Sequence, residues 1–248
     1  MLAKKRSFIR LIVFLTGLFL FLNSCGLDTY VVVDAPLDPG FKPNTDSLYT
    51  NMYFEFETNS NSSHYPSDFV FLGTNVYYKI YSNISELQKH TSDLNNWSNN
   101  FETSVKARIE LIDTYTYQPL QIKNYPIESA LVPANDVTHQ LVYIRLTDYY
   151  NIPSEVTLDG SPLYGSLNTT IPVRNVGDYT FNFGRTGTFD KKPQIGDADV
   201  WGTSAPSDGI WYVAMYAVAF GRTVTFEQQY SNIVYLGAVS IHSNVENN

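Results

Sequence analysis

Apolar and polar positions alternate with period two over much of this chain. In Met52-Tyr53-Phe54-Glu55-Phe56-Glu57, Met52, Phe54 and Phe56 share one face while Glu55 and Glu57 share the other. That is the pattern of a half-buried antiparallel strand. Phe69–Gly73 is expected to lead through a turn into Val76–Tyr81, with Val76, Tyr78 and Ile80 inward. Val137–Leu146, Ser154–Leu158 and Thr170–Arg174 read as further strands, the last two separated by the turn-like DGSPLYGS. Tyr179, Phe181 and Phe183 share a face. The densest core signal is Ile210–Phe220, IWYVAMYAVAF, apolar on both faces. A buried helix competes for such a run, but β-branched and aromatic content with flanking Gly209 and Gly221 favours a central strand. Arg222–Phe226 and Ile233–Ile241 are the expected next strands, joined by EQQYSN.

Between Ser85 and Asp113 the period lengthens. Leu94, Trp97, Phe101, Val105, Ile109 and Ile112 recur every three or four residues, the stripe of an amphipathic helix. Ser85 with Gln88, and Asn99 with Glu102, have the spacing of capping boxes. The pattern allows one helix near 86–113 or, preferably, two with a break around Asn95–Asn100. Such weak helices must lie against the sheet to hide Phe101, Val105 and Ile109.

The N-terminus obeys neither period. Lys4, Lys5, Arg6 and Arg10 precede the run Leu11–Leu22, which is apolar apart from Thr16 and Gly17, and no acidic residue occurs before Asp28. This is the layout of a secretory leader. It falls short of the roughly 20 apolar residues of a spanning helix, although a short transmembrane anchor is the competing reading. Leu22-Asn23-Ser24-Cys25 resembles the bacterial lipobox, in which the precursor is cut before a lipidated cysteine. Cys25 is the only cysteine in the chain, and a thiol is the side chain most readily acylated. The resemblance implies a lipid bilayer as a partner through acylated Cys25. Two or three acyl chains would hold the protein on a membrane, since one chain anchors only marginally. Pro36, Pro39, Gly40 and Pro43 then suggest an extended tether, with Tyr30–Val33 its only strand-like piece.

The expected organisation is therefore a leader at 1–24, a lipidated cysteine and tether at 25–47, one β-sandwich domain at 48–242 with a helical insertion of about 85–113, and a disordered tail at 243–248. Removing the leader leaves 12 basic against 24 acidic side chains, a net charge of −12. That charge argues against nucleic acid and anionic lipid as partners. With 19 Tyr and 15 Phe, the interior is expected to be aromatic, which favours strands.

Chemistry is harder to find. His64, His90, His139 and His242 fit neither a zinc motif nor a triad, and read as surface or packed histidines. The 184–209 stretch is a long loop rich in Gly, Asp and Pro, expected to be acidic and solvated. Within it Asp197 and Asp199 are weak calcium candidates, short of the six to eight oxygens such a site needs. Paired carboxylates for glycoside hydrolysis cannot be read from it. Tyr149, Tyr150 and Trp201 are candidate ligand-contact aromatics, with Tyr164 and Trp211 also considered, since loop ends of a sandwich collect binding sites. No metal or other cofactor is expected, and no catalytic residue.

Two resemblances close the reading. Tyr212-x-Val-x-Met-Tyr-Ala-Val-Ala-Phe-Gly followed by Ile233–Ile241 looks like the last two strands of a fibronectin type III or immunoglobulin-like sandwich, with Met52–Glu57 and Val76–Tyr81 as early strands. This implies a mainly β fold, an antiparallel sandwich with one or two helices packed on a flank. LFLFLNSCG, FLGTNVYYKIYSN, FNFGRTGTFD, WYVAMYAVAFGRTVTF and SNIVYLG resemble uncharacterised spirochaete (Treponema-like) lipoproteins. That resemblance implies a bacterial cell-envelope lipoprotein, with the outer membrane or cell surface favoured, and carries over no catalytic residue. The expectation is a non-catalytic, lipid-anchored module that binds a protein or glycan. The alternative is a structural or envelope-assembly lipoprotein.

Overall fold

The computed structural model describes residues 31–38, 40–100, 103–125, 130–149, 152–164, 170–184 and 190–243. Leu22, Asn23, Ser24 and Cys25 therefore lie outside the described residues, as do Phe101, Glu102 and Tyr150. The chain divides into Met1–Val31 and Val32–Asn248, and the elements of the fold belong to the second unit. No helix among the described residues is long and apolar enough to cross a membrane.

In chain order the unit contains β1 (Phe54–Glu57), β2 (Phe69–Tyr81), α1 (Ile84–Ser98), α2 (Ser104–Ile109), β3 (Gln118–Pro119), β4 (Gln121–Ile122) and β5 (Val132–Pro133). Then come β6 (Leu141–Arg145), β7 (Glu155–Leu158), β8 (Ser161–Pro162), β9 (Pro172–Val173) and β10 (Val200–Trp201). The long β11 (Ile210–Thr223), β12 (Gln228–Tyr230) and β13 (Val234–His242) complete it. It is a mixed fold dominated by sheet, with a short helical insert.

Two long strands form its spine. β2 and β11 pair antiparallel from Tyr81↔Tyr212 to Phe69↔Thr223. The free edge of β2 is covered by β5, β3 and β10 in turn, β10 running parallel to it. The other edge of β11 is covered by β13 and β12. A smaller antiparallel sheet runs β1-β6-β7-β8, and β4 pairs with β9 in a third, two-stranded sheet.

Side-chain alternation on β11 divides the interior into two cores. Trp211, Val213, Met215 and Ala217 face the small sheet, where they join Val76, Tyr78 and Ile80 with Phe54, Phe56, Val142, Ile144 and Val156. Ala214, Tyr216 and Val218 face the helices and share a second cluster with Tyr81, Leu87, Leu94, Leu111 and Tyr117. A strand apolar on both faces is thereby explained: β11 lies between two layers of side chains. Inside the first core Tyr78 meets Phe181 edge-on at 5.0 Å, a geometry worth about 0.5–1.5 kcal/mol beyond area burial.

Several expectations need correction. Gly73 does not open a turn; β2 runs through it unbroken. Gly73 has φ +127°, and a Cβ there would stand 2.1 Å from the Val132 carbonyl oxygen, so glycine is what lets β5 approach. The expected strand Val137–Leu146 shortens to Leu141–Arg145, and His139 precedes it at φ +59°. Phe181 and Phe183 are buried as expected, but from a run of turns, not a strand. The reversal after β11 falls at Val224–Glu227, so Gln228–Tyr230 is strand where a linker was expected.

The helical stretch is two helices, broken between Ser98 and Ser104. Asn83, not Ser85, caps α1, its side chain accepting from the Ser85 N–H at 2.7 Å. The buried stripe is Leu87, His90, Thr91 and Leu94. Because α2 restarts the phase after the break, Ala107 and Leu111 turn inward, while Val105 and Ile109 are 52% and 45% exposed. The single stripe drawn through both helices therefore fails at Val105 and Ile109, while Ile112 still packs against the second cluster. Within the segment expected to be a tether, the Pro43 carbonyl accepts from Ala238 N–H and the Thr45 carbonyl from the Ser240 hydroxyl.

Candidate functional site

Most of the 190–201 segment is exposed, but Asp199 is drawn into the interior beside a buried charge. Arg174 follows β9 and is fully buried. Its Nε donates to Asp199 Oδ2 at 2.8 Å and its Nη2 to Asp199 Oδ1 at 2.6 Å, a bidentate pair. Nη2 also reaches Asp197 Oδ2 at 2.7 Å, and that oxygen accepts from Gln194 N–H. The Tyr78 hydroxyl donates to Asp199 Oδ2 at 2.7 Å and accepts from Asn175 N–H. Arg174 Nη1 is buried with no hydrogen-bond partner among the described residues. Burial alone would lower the Arg174 pKa, but the hydrogen bond and charge of Asp199 and the hydrogen bond of Asp197 outweigh it and raise the value. Burial, then the Asp199 charge, push Tyr78 well above an ordinary phenol.

The bland expectation of a solvated acidic loop therefore fails at Asp199, which has no exposed surface. Asp197 and Asp199, the weak calcium candidates, place their carboxylates on Arg174. No cluster of metal-ligating side chains occurs among the described residues.

Lys79 lies on the helix-facing side of β2. Its ammonium donates to the Thr116 hydroxyl at 2.6 Å, the Thr116 carbonyl at 3.2 Å and the Ala198 carbonyl at 3.0 Å. Burial lowers its pKa to about 8, with the Asp199 charge opposing. Like Arg174, Lys79 ties the 197–199 turn to the core.

Trp201 is the consequence. Two residues beyond Asp199, it ends β10, pairing with Tyr81, and its carbonyl accepts from Ser82 N–H at 3.0 Å. The indole meets the His90 ring edge-on at 4.6 Å, and Lys79 Nζ lies 5.9 Å from its centroid. His90 is itself stacked on Tyr115 at 3.9 Å and faces the Tyr81 hydroxyl at 3.2 Å through Nδ1. Burial, then the Lys89 charge, lower the His90 pKa below its usual 6.5.

On its outer side Trp201 lines an open cleft of about 760 Å³. One wall is Ser82, Asn83 and Glu86, at the start of α1; the other is the 202–207 turn. Gly202 admits the Ser82 hydroxyl, since a Cβ at 202 would stand 2.0 Å from Ser82 Oγ. The cleft volume lies within the ~300–1,000 Å³ of small-ligand sites.

The expected aromatic contacts do not converge. Tyr149 stacks on Tyr49 at 4.6 Å, beside the small sheet, while Trp201 lies with the helices. Tyr164 stacks on Tyr125 at 3.8 Å, and Trp211 is core. Arg174, Lys79 and His90 were not legible as parts of this site. The available hint was a basic residue inside an otherwise apolar strand, as Lys79 is in Val76–Tyr81. No protein-family model, curated protein or solved structure matches the chain.

Proposed function

We propose that this chain is a lipid-anchored, non-catalytic protein of a bacterial cell envelope, presenting a binding module whose ligand site is the Trp201 cleft. The observation that carries the binding function is that cleft: a partly exposed indole, fixed from behind by His90 and the Asp199 anchor, facing a wall of hydroxyl and amide groups. A rigid aromatic beside adaptable polar groups is what recognition surfaces use. The anchor rests on the sequence, on Leu22-Asn23-Ser24-Cys25 after a basic and apolar leader. Three of the buried titratable groups, Arg174, Asp199 and Tyr78, are engaged with one another, which supports a structural use for them. The finer fold assignment, a fibronectin type III or immunoglobulin-like sandwich, belongs to the same proposal. Its support is the apolar interior shared by β1, β6 and β7 with β2, β11 and β13. The kinship with spirochaete lipoproteins rests on the quoted segments alone.

The test is crosslinking in intact cells, followed by membrane fractionation and mass spectrometry of the N-terminus. The expected result is acylated Cys25 at the start of the mature chain, loss of membrane association in Cys25→Ser, and a crosslinked ligand lost in Trp201→Ala. An unmodified terminus upstream of Cys25 would contradict the anchor, and crosslinking indifferent to Trp201 would contradict the site.

One observation favours the alternative, a structural or envelope-assembly lipoprotein. At the far end of β2 and β11, Val70, Val224 and Phe226 are exposed together, Phe226 to 73%. Phe226 also holds φ +67°, uncommon for a bulky residue. Crosslinks gathered at this tip and absent from the cleft would favour that reading.

A further inference from the structure

We infer that the Trp201 cleft takes an uncharged saccharide, one ring of which lies against the indole; this deepens the binding-module reading and rests on it. A sugar ring offers an apolar C–H face and a rim of hydroxyls that both donate and accept. The cleft supplies the complement. Trp201 provides the apolar surface, and Ser82, Thr203, Ser204 and Ser207 provide hydroxyls that also donate and accept. Asn83 adds an amide: its Oδ1 is used in capping α1, which leaves Nδ2 for a ligand oxygen.

The same lining argues against other classes. Among the described residues that line the cleft, Glu86 is the sole ionisable side chain, and its carboxylate is about half exposed. A phosphate, sulfate or uronate would meet that carboxylate with no lysine or arginine in the lining to offset it. Like charges brought together disfavour such ligands. Without the leader, the 12 basic and 24 acidic side chains leave a net charge of −12, which adds repulsion at longer range. A purely apolar ligand would strip water from the hydroxyl rim without replacing its hydrogen bonds. A neutral, hydroxyl-rich ligand avoids both costs. Trp201 is also held in place before any ligand arrives, by β10 pairing on β2 and by His90 behind it. Little ordering is left to do on binding.

The experiment titrates the full-length protein, in a detergent without a sugar headgroup, with N,N′-diacetylchitobiose, cellobiose and maltose. A sulfated and a phosphorylated disaccharide serve as anionic comparators, and heat of binding is measured. At least one neutral disaccharide should bind, with affinity at least tenfold above either anionic comparator. Trp201→Ala should weaken it tenfold or more, and Trp201→Phe, which keeps a stacking ring, should recover part of the loss. Glu86→Gln should narrow the margin between the neutral and the anionic disaccharides at least threefold. Thermal unfolding of each variant separates lost contact from lost fold. Preference for an anion, or neutral binding unmoved by a folded Trp201→Ala, overturns the inference. If no neutral disaccharide binds while a Trp201-dependent crosslink persists in cells, the saccharide class is wrong and the binding module stands. If both are missing, both fall.

Discussion

Arg174 and Asp199 face each other through two hydrogen bonds of 2.8 and 2.6 Å, both side chains wholly removed from solvent, and Asp199 stands two residues before Trp201. A buried pair of this kind adds little net stability compared with apolar residues of the same shape, but losing one partner strands the other charge. Arg174→Met should therefore lower stability by about 3–5 kcal/mol, read from the urea midpoint. Arg174→Met combined with Asp199→Leu should recover part of that loss. Equal destabilisation by the single and double variants would show that the pair itself is not the source.

The second core is lined with phenols. Tyr81, Tyr117 and Tyr216 are driven above the ordinary value by burial first, with neighbouring tyrosines adding to it in all three, while the hydrogen bond from Tyr81 works against it in Tyr117. Tyr78 in the first core is raised likewise. In the unfolded chain these groups titrate near 10, so the stability they contribute is complete below about pH 10. It is lost as pH rises from there toward their folded values. Absorbance at the phenolate band should rise in two phases, the exposed tyrosines first and these four only with unfolding. A single phase near pH 10 in the folded protein would contradict the packing.

His90 carries the opposite dependence. Its folded pKa is below 6.5, held there by burial and then by Lys89, while Glu86 and Asp93 on α1 act the other way and Lys79 reinforces the lowering. As pH falls below about 6.5 the unfolded chain takes up the proton first, so stability falls until the folded pKa is passed. His90→Gln, which keeps a hydrogen-bonding group opposite the Tyr81 hydroxyl, should flatten that segment of the pH profile. It should also cost about 1 kcal/mol through the lost stack on Tyr115. Denaturation midpoints between pH 5 and 7.5 measure both.

Two glycines make the edges close. Gly73 at φ +127° meets the Val132 carbonyl oxygen, and Gly237 at φ +120° meets the Pro43 carbonyl oxygen 2.6 Å from where a Cβ would stand. Alanine at either position combines a disfavoured backbone with a collision against main chain. Each substitution should destabilise by about 3 kcal/mol, the upper end of the ordinary range for single changes. Thermal unfolding of Gly73→Ala and Gly237→Ala checks this, with Gly160→Ala, where no atom crowds the Cβ, as the milder comparison.

What the sequence disclosed follows from range. Strand period is local, so the apolar faces of Met52–Phe56 and Val76–Ile80 could be read directly, as could β11 from being apolar on both faces. The break between the helices was legible, but their phase was not. Which face turns inward after residue 103 depends on where α2 restarts, and Ala107 carries a weaker signal than Val105 or Ile109. The turn expected at Gly73 was misread because glycine marks turns and close approaches alike, and the Val132 carbonyl is 59 residues away. The site failed for the same reason. Trp201 could be singled out as an aromatic in a loop, but Arg174, Lys79 and His90 join it only through tertiary contacts. Asp199 looked like any loop carboxylate until its partner was known.

The central claim is that the Trp201 cleft is where this protein engages its surroundings. A photoreactive diazirine side chain at Thr203, on the cleft rim, tests it in intact cells against the same group at Phe226 on the distant hairpin. The account predicts an adduct at 203 that disappears with Trp201→Ala and no comparable adduct at 226. Labelling confined to 226, or labelling at 203 that survives the loss of the indole, would contradict it.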